Sequence, residues 1–247
     1  MSTIAIFSDV HGNLPALQAV LKDIHDKNAD QVYCLGDLVD FAPWPNEVID
    51  LIRAERIPCL MGNHDERIAF NHPVVPLKKH NAEETVARIA AIAYTRQIID
   101  PVCQKYLSGL PGQIRLTFNV TGRITHILLV HASTRSNDEY IYEDHDMNDL
   151  QEMFAQENAD ILIMGHTHES YIRIVPVSPE QPERLAINCG SVGRSREVNP
   201  LATYLLLTVD EHHISVEIIK LAYPVHETAE AIRQSDIPDF YADFLLR

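Results

Sequence analysis

Apolar residues in this chain come in short runs that stop at polar or glycine-containing loops, and their spacing separates strands from helices. Residues 4–7 make a first strand that ends in Ser8-Asp9-Val10-His11-Gly12-Asn13. Leu14, Leu17, Leu21 and Ile24 then recur at helical spacing, with Asn13 as N-cap and Pro15 in the first turn. A second run, residues 31–35, is broken by Gly36, which delivers Asp37 at the carboxyl end of a buried strand, where open α/β sheets place their ligands. The proline-rich loop Ala42-Pro43-Trp44-Pro45 leads to a helix capped at Asn46, with Val48, Leu51 and Ile52 on its face. A third strand, residues 57–61, opens into Gly62-Asn63-His64-Asp65. Strand, loop and helix repeated in this way call for a parallel sheet.

Residues 66–110 change character: a loop containing His72-Pro73 precedes a helix over residues 82–99 and a shorter one that ends at Gly109-Leu110-Pro111. This stretch carries no ligand set and is expected to wall one side of a site. From Gln113 the pattern turns to strands, and residues 114–120 and 123–130 form a hairpin around Asn119-Val120-Thr121-Gly122 that ends at His131. A helix over 146–158 precedes a strand at 161–164, which ends in Gly165-His166-Thr167-His168. Strands follow at 171–175, 185–189, 202–209 and 214–221, and Ile237, Phe240, Phe244 and Leu245 mark a short carboxyl-terminal helix. No internal repeat or linker interrupts the series, so the chain reads as one domain, 1–247.

Composition narrows the choice of partners. At 247 residues and 46% hydrophobic composition the chain can bury a substantial core. Its net charge of −15 is spread along the length without a lysine and arginine stripe, which argues against stable nucleic-acid binding and against anionic membranes. The first apolar run is cut at Asp9, too early for a signal peptide or a membrane span, so a cytoplasmic protein is expected. Cys34, Cys59, Cys103 and Cys189 make no CxxC pair and read as buried free thiols.

The chemistry sits at strand ends. Asp9 with His11, Asp37, Asn63 with His64, His131, and His166 with His168 each follow an apolar run. Carboxylates, an amide oxygen and imidazoles together suit manganese, iron, zinc or nickel rather than a cysteine-rich structural zinc. The remaining histidines, His25, His72, His80, His126, His145, His212, His213 and His226, read as surface or core residues, with His212-His213 in a turn between strands. Arg135 and Arg196 are candidate phosphate contacts, because they follow His131 and the Gly190-Ser191 turn.

These motifs, Asp9-Val10-His11, Gly36-Asp37-Leu38-Val39-Asp40, Gly62-Asn63-His64-Asp65, His131 and Gly165-His166-Thr167-His168, resemble those of the calcineurin-like metallophosphoesterase superfamily. Asn46-Glu47, Glu139-Tyr140 and Asn188-Cys189-Gly190-Ser191-Val192-Gly193 bring the chain nearer its small single-domain bacterial and archaeal phosphodiesterase branch. The resemblance implies an α/β four-layer sandwich, two mixed β-sheets flanked by helices. It also implies two divalent metal ions, manganese first among the candidates. Asp9, His11, Asp37 and His168 would hold one ion, and Asp37, Asn63, His131 and His166 the other, with Asp37 shared. His64 would stabilise the phosphoryl oxygens and protonate the leaving group, with Asp40 orienting it and favouring its charged form.

The implied activity is hydrolysis of a small phosphodiester or nucleotide by metal-activated hydroxide. Dinucleoside polyphosphate hydrolysis is the enzymatic alternative, and a non-catalytic protein-binding scaffold on the same fold is the rival from another class. Phe41 stands where protein serine/threonine phosphatases typically carry an arginine, which argues against protein phosphatase activity. Cys189 stands where the branch commonly has proline, and burial as a small hydrophobe is its expected role.

Overall fold

In the computed structural model, which describes residues 1–76, 81–176, 183–199 and 201–247, the apolar runs become nine strands and eight helices. The first part of the chain gives β1 (Ser2–Phe7), α1 (Leu14–Asp26), β2 (Gln31–Cys34), α2 (Pro45–Ala54), α3 (Asn63–Ala69), α4 (Ala82–Ile98) and α5 (Pro101–Leu107). The middle gives β3 (Gln113–Val120), β4 (Arg123–Val130), α6 (Met147–Glu157), β5 (Ile161–Met164), β6 (Tyr171–Val175) and β7 (Arg184–Asn188). The last part gives β8 (Ala202–Val209), β9 (Ile214–Leu221), α7 (Val225–Arg233) and α8 (Phe240–Leu245).

Two mixed sheets result, in the orders β2-β1-β8-β9 and β3-β4-β5-β7-β6. The parallel pairings are β1 with β2 in the first sheet, and β4 with β5 and β5 with β7 in the second. Alternation along the central strands builds the layers. Ile4 and Ile6 of β1 meet Ile127 and Leu129 of β4 between the sheets, in one apolar cluster with Ile161, Ile163 and Leu205. Ala5 and Phe7 face the other way, against Leu17, Val20 and Ile24 of α1. Leu128, Val130, Leu162 and Met164 cover the outer face of the second sheet together with Leu150, Met153 and Phe154 of α6. The result is the expected four-layer α/β sandwich.

Several local readings change. Residues 57–61 are extended but join the first sheet by a single bridge, Cys34 to Cys59, because Pro58 has no N–H to offer a ladder. Asn46 does not cap α2: the N-cap is Trp44, and the Asn46 side chain donates to Ile98 O and accepts from Asp100 N, tying α2 to the junction of α4 and α5. The helices α3 and α7 are additions to the expected set, and α3 begins inside the Gly-Asn-His-Asp motif itself. Asn13 caps α1 as expected, accepting from Ala16 N. Thr121 and Gly122 adopt φ of 55° and 79°, the geometry of a tight hairpin turn. His80 lies outside the described residues. All four cysteines are free and buried, and Cys189 packs in the apolar layer between the sheets. Among the described residues no helix is long and apolar enough to cross a membrane.

The feature that positions the site is that pairing outlasts the strands. Beyond the β1–β2 ladder, Leu35 N donates to Phe7 O, Asp9 N to Gly36 O, His11 N to Asp37 O and Gly12 N to Leu38 O, at 2.8 to 2.9 Å. Gly36 lets this happen. Its φ is +101°, and a Cβ there would lie 2.4 Å from Gly62 N and 2.8 Å from Leu60 O. Gly36→Ala is therefore expected to lower stability by about 3 kcal/mol or more in chemical denaturation, strain and clash acting together. A loss below about 1 kcal/mol would mean that the two loops can move apart freely.

Candidate metal centre

The loops after β1, β2, β4 and β5 converge on one edge of the sandwich and bring two groups of potential ligands together there. Asp9, His11 and His168 form one, and Asp37, His131 and His166 the other; all six are buried, and in each group the ligand atoms lie within 4.8 Å of one another. Backbone bonds across the two sheets hold the loops in place. Val192 N donates to Ser8 O, Gly193 N to Asp9 O, and the Ser191 hydroxyl also to Asp9 O. The Asn188 amide donates to Gly165 O at 2.5 Å, so the Asn-x-Gly-Ser motif braces both the Asp-x-His and the Gly-His-x-His loops.

The histidine tautomers follow from the hydrogen bonds. Nδ1 of His11, His131 and His168 faces a backbone carbonyl, of Val39 at 3.0 Å, Leu35 at 2.9 Å and Arg194 at 2.7 Å. A carbonyl can only accept, so each Nδ1 carries a proton and Nε2 is the nitrogen turned inward, free to offer its lone pair whenever the ring is neutral. His11 Nε2 and His168 Nε2 then face each other at 3.1 Å, an arrangement that calls for a positive charge between them. Asp9 Oδ1 lies 3.1 Å from His168 Nε2 and 3.7 Å from His11 Nε2. Asp37 Oδ2 lies 3.8 Å from His11 Nε2 and 3.5 Å from His131 Nε2, within reach of both groups. Donors bound at about 2.1 Å around one tetrahedral or octahedral ion stand roughly 3–3.5 Å apart, close to these spacings.

The buried atoms left without a partner point the same way. Asp9 Oδ1, Asn63 Oδ1, His131 Nε2 and His166 Nε2 are fully enclosed and make no hydrogen bond. Such groups are costly unless something else satisfies them. Asn63 Nδ2 donates to Asp138 Oδ1 at 3.2 Å, which fixes the amide with its oxygen free. The donor set fits a pair of divalent cations.

Burial raises the carboxyls of Asp9 and Asp37, but the surrounding histidines more than offset it and hold both far below the usual carboxylate range. Burial lowers His131 in turn, yet the Asp37 carboxylate overrides it and lifts the imidazole to about 10. Burial prevails at His11 and His166, pushed down to about 4 and about 3.

His64 and Asp40 pair beside the cations' place, with Nδ1 2.6 Å from Asp40 Oδ2. Burial, rather than Asp40, sets the charge here, contrary to the expectation of an imidazolium. It pushes Asp40 up to about 7 and holds His64 well below its ordinary value. While Asp40 keeps its proton, below about 7, that proton is shared with Nδ1 and the proton of the neutral imidazole stands on Nε2, the nitrogen away from Asp40.

Some participants escape a reading of the sequence. The Asp65 carboxylate accepts from Asp37 N at 2.7 Å, Leu38 N at 2.8 Å and Gly62 N at 3.0 Å, pinning the Asp37 loop to the start of α3. Arg88 and Arg194 line the cleft above the centre with Arg196, Phe41, Tyr140 and Tyr241. Arg88 occupies the buried stripe of α4 with Ala91, Ile92 and Thr95, and a charge on that stripe is the signal that could have found it. Arg135 does not line this cleft: its guanidinium is engaged by Glu139 and Asp149 at the surface, which removes it as a phosphate contact.

Comparison with known proteins agrees with this geometry. The profile of the calcineurin-like phosphoesterase family matches residues 2–170. The chain is 28% identical over 255 residues to an uncharacterized protein of Methanocaldococcus jannaschii, covering 99% of this chain and 97% of that one. It is 32% identical over 100 residues, 39% of this chain and 35% of the other, to the symmetrical bis(5'-nucleosyl)-tetraphosphatase of Nitrosococcus oceani. A metallophosphoesterase from Sphaerobacter thermophilus superposes with a TM-score of 0.76 at 27% identity, covering 99% and 98% of the two chains. A hypothetical protein from Pyrococcus horikoshii OT3 shares the fold with a TM-score of 0.79 at 21% identity over 99% and 98% of the chains.

Two outcomes are expected of the centre. Chelation should lower the melting temperature by roughly 5–10 °C when the metal was present at about a hundred times its dissociation constant. An unchanged melting point after verified removal would mean that the cluster is stable without cations. Because His131 is protonated up to about 10 in the metal-free protein, cation binding must displace a proton. Affinity should therefore rise with pH from neutrality towards 10, and calorimetry at pH 7.5 in buffers of different ionisation enthalpy should register about one proton released.

Proposed function

Since this chain belongs to the calcineurin-like phosphoesterase family, a family of hydrolases acting on phosphoester bonds, we propose that it hydrolyses a small phosphodiester or nucleotide at a dinuclear metal centre. The observation that carries this reading is the pair of buried clusters joined by Asp37, with Asp9 Oδ1, Asn63 Oδ1, His131 Nε2 and His166 Nε2 unpartnered and enclosed. Asp9, His11, Asp37 and His168 would hold one divalent ion and Asp37, Asn63, His131 and His166 the other, manganese being the first candidate. Bound there, two such ions supply Lewis-acid charge for the phosphoryl oxygens and make water a nucleophile near neutral pH.

The chain's own residues do the rest. Asp40 orients His64 through Nδ1 and leaves the N–H at Nε2 available to the cleft, where it can hydrogen-bond a phosphoryl oxygen and pass its proton to the departing alkoxide. Asp65 acts one step back, as a positioning residue, by holding the backbone on both sides of the Asp37 carboxylate. Asp138 fixes the Asn63 amide. Dinucleoside polyphosphate hydrolysis is a second reading, favoured by the stretch of 100 residues aligned with the Nitrosococcus oceani tetraphosphatase. A scaffold role is less consistent with a full set of ligands.

The test is hydrolysis of bis-p-nitrophenyl phosphate beside the p-nitrophenyl monoester, on metal-stripped protein refilled with manganese or nickel. Diester turnover should require metal, fall by about 10²–10⁴-fold in His64→Asn with metal content unchanged, and vanish in Asp37→Asn together with metal binding. Equal turnover by wild type and His64→Asn would remove His64 from the chemistry.

A further inference from the structure

The cleft over the centre carries positive charge that the metal chemistry does not require. Asp37, Asn63, His64, Asp138, His166 and His168 line it together with Arg88, Arg194 and Arg196. A chain with 35 acidic residues against 20 basic ones has ample carboxylates to neutralise its arginines, and Arg53, Arg115, Arg123, Arg135 and Arg233 each sit in an ion pair; among the described residues Arg56, Arg96, Arg173, Arg184 and Arg247 do not, so it is burial beside the centre that sets the cleft's arginines apart. Among the described residues, none of Arg67, Arg88, Arg194 and Arg196 has a carboxylate within 4.0 Å.

Their surroundings make this costly. Arg88 is 6% exposed, and its guanidinium donates to a neutral acceptor, Val75 O, at 2.9 Å. Arg67, 9% exposed, is near enough for its charge to act on Arg88, and its Nη1 is unpartnered. Arg194 rests on the rings of Phe41 and Phe244, 4.6 and 4.4 Å from their centroids, with Nε enclosed and unpartnered. Burial pushes its guanidinium down to about 10. Two carboxylates that feel the charge of Arg67 and Arg88 are hydrogen-bonded elsewhere, Asp40 to His64 and Asp138 to Asn63. Enclosed cations held apart from carboxylates are expected where an anionic ligand completes them.

A single phosphate does not account for that charge. Two divalent ions carry about +4, of which Asp9 and Asp37 cancel about −2 and the activated hydroxide about −1, leaving about +1 for the phosphate under attack. That already matches the single negative charge of a diester, and the guanidinium groups lining the cleft come in addition.

We propose that Arg88, Arg194 and Arg196 form a subsite for a second phosphoryl group, so that the substrate is a phosphoester bearing at least one phosphate besides the one attacked. The proposal rests on the phosphoesterase reading for its substrate, but the subsite binds an anion whether or not the metals are present. Phe41 and Tyr241, stacked with centroids 4.6 Å apart, hold Arg194 from below, so the subsite is part of the fold.

The experiment measures binding of inorganic orthophosphate and tripolyphosphate to metal-stripped protein by calorimetry at low ionic strength, which avoids chelation by the probe. Tripolyphosphate should bind at least about tenfold more tightly than orthophosphate, as expected where several guanidinium groups share one anion. That preference should fall about tenfold in Arg196→Gln and in Arg88→Gln, hold within a few-fold in Arg88→Lys, and be unchanged in Arg135→Gln. Arg196 lies on a partly exposed loop, so its variant serves even if the buried Arg88→Gln fails to fold. Equal binding of the two anions, or a preference that survives Arg196→Gln, overturns the subsite. Arginine-dependent tripolyphosphate binding by a protein that shows no turnover when metal-loaded leaves the subsite standing and refutes the phosphoesterase reading instead.

Discussion

Burying two carboxylates and a ring of imidazoles at one point is the constraint on which this structure turns. Unpaired, such groups oppose folding by several kcal/mol each. The chain meets that constraint with backbone more than with side chains. Carbonyls of Val39, Leu35 and Arg194 take the outer nitrogens of three histidines, and backbone N–H groups of His64 and His166 take one oxygen each of Asp37 and Asp9. What remains is a set of lone pairs turned inward, which a cation can satisfy and a hydrophobic core cannot.

That arrangement explains which parts of the site are legible in the sequence. Residues that must be a particular chemical type, such as Asp9, His11 or His168, stand at strand ends and recur with the strand-loop-helix rhythm, so pattern and chemistry coincide. Asp65 is less visible because its work is done on backbone groups of residues 37, 38 and 62, a partnership that sequence spacing does not record. Arg88 and Arg194 come from α4 and from the loop after β7, far apart in sequence, and only packing brings them to one cleft. The fold shows the same division. Strands with a clear apolar pattern, the continuous run at 161–164 and the alternating one at 214–221, match their expected bounds, whereas α3 and the bridge at Cys59 depend on tertiary contacts.

The last helix ties the fold to the chemistry. Tyr241 of α8 stacks on Phe41, and Phe41 packs 4.9 Å from the ring of His11 and 4.8 Å from that of His64. Ala229 and Ile232 of α7 and Ala87 and Ala91 of α4 share that apolar cluster. The carboxyl-terminal helices therefore set the rotamers of two site histidines through an aromatic ring where a charge would compete with the metals. A polar residue at position 41 would have to be satisfied inside this cluster, so its aromatic character serves packing and electrostatics together.

The backbone of the centre carries its own expense, and this links metal binding to folding more tightly than the side chains alone would. Asp9, His11, Asp37, His166 and His168 all have left-handed backbone, with φ between 50° and 66°. For residues with a Cβ this region costs roughly 1–2 kcal/mol each, though Asp and His tolerate it better than branched residues. Together these positions hold back an amount comparable to the 5–15 kcal/mol that typically stabilises a folded chain. The loops keep that geometry because pairing continues past the strands and the Asn188 and Ser191 braces hold them from the second sheet. Relaxing any one residue to a right-handed conformation would turn its ligand atom away from the others. The strain and the ligand set are therefore two aspects of one construction, in which the sheets supply the stability that the loops give up to aim their side chains.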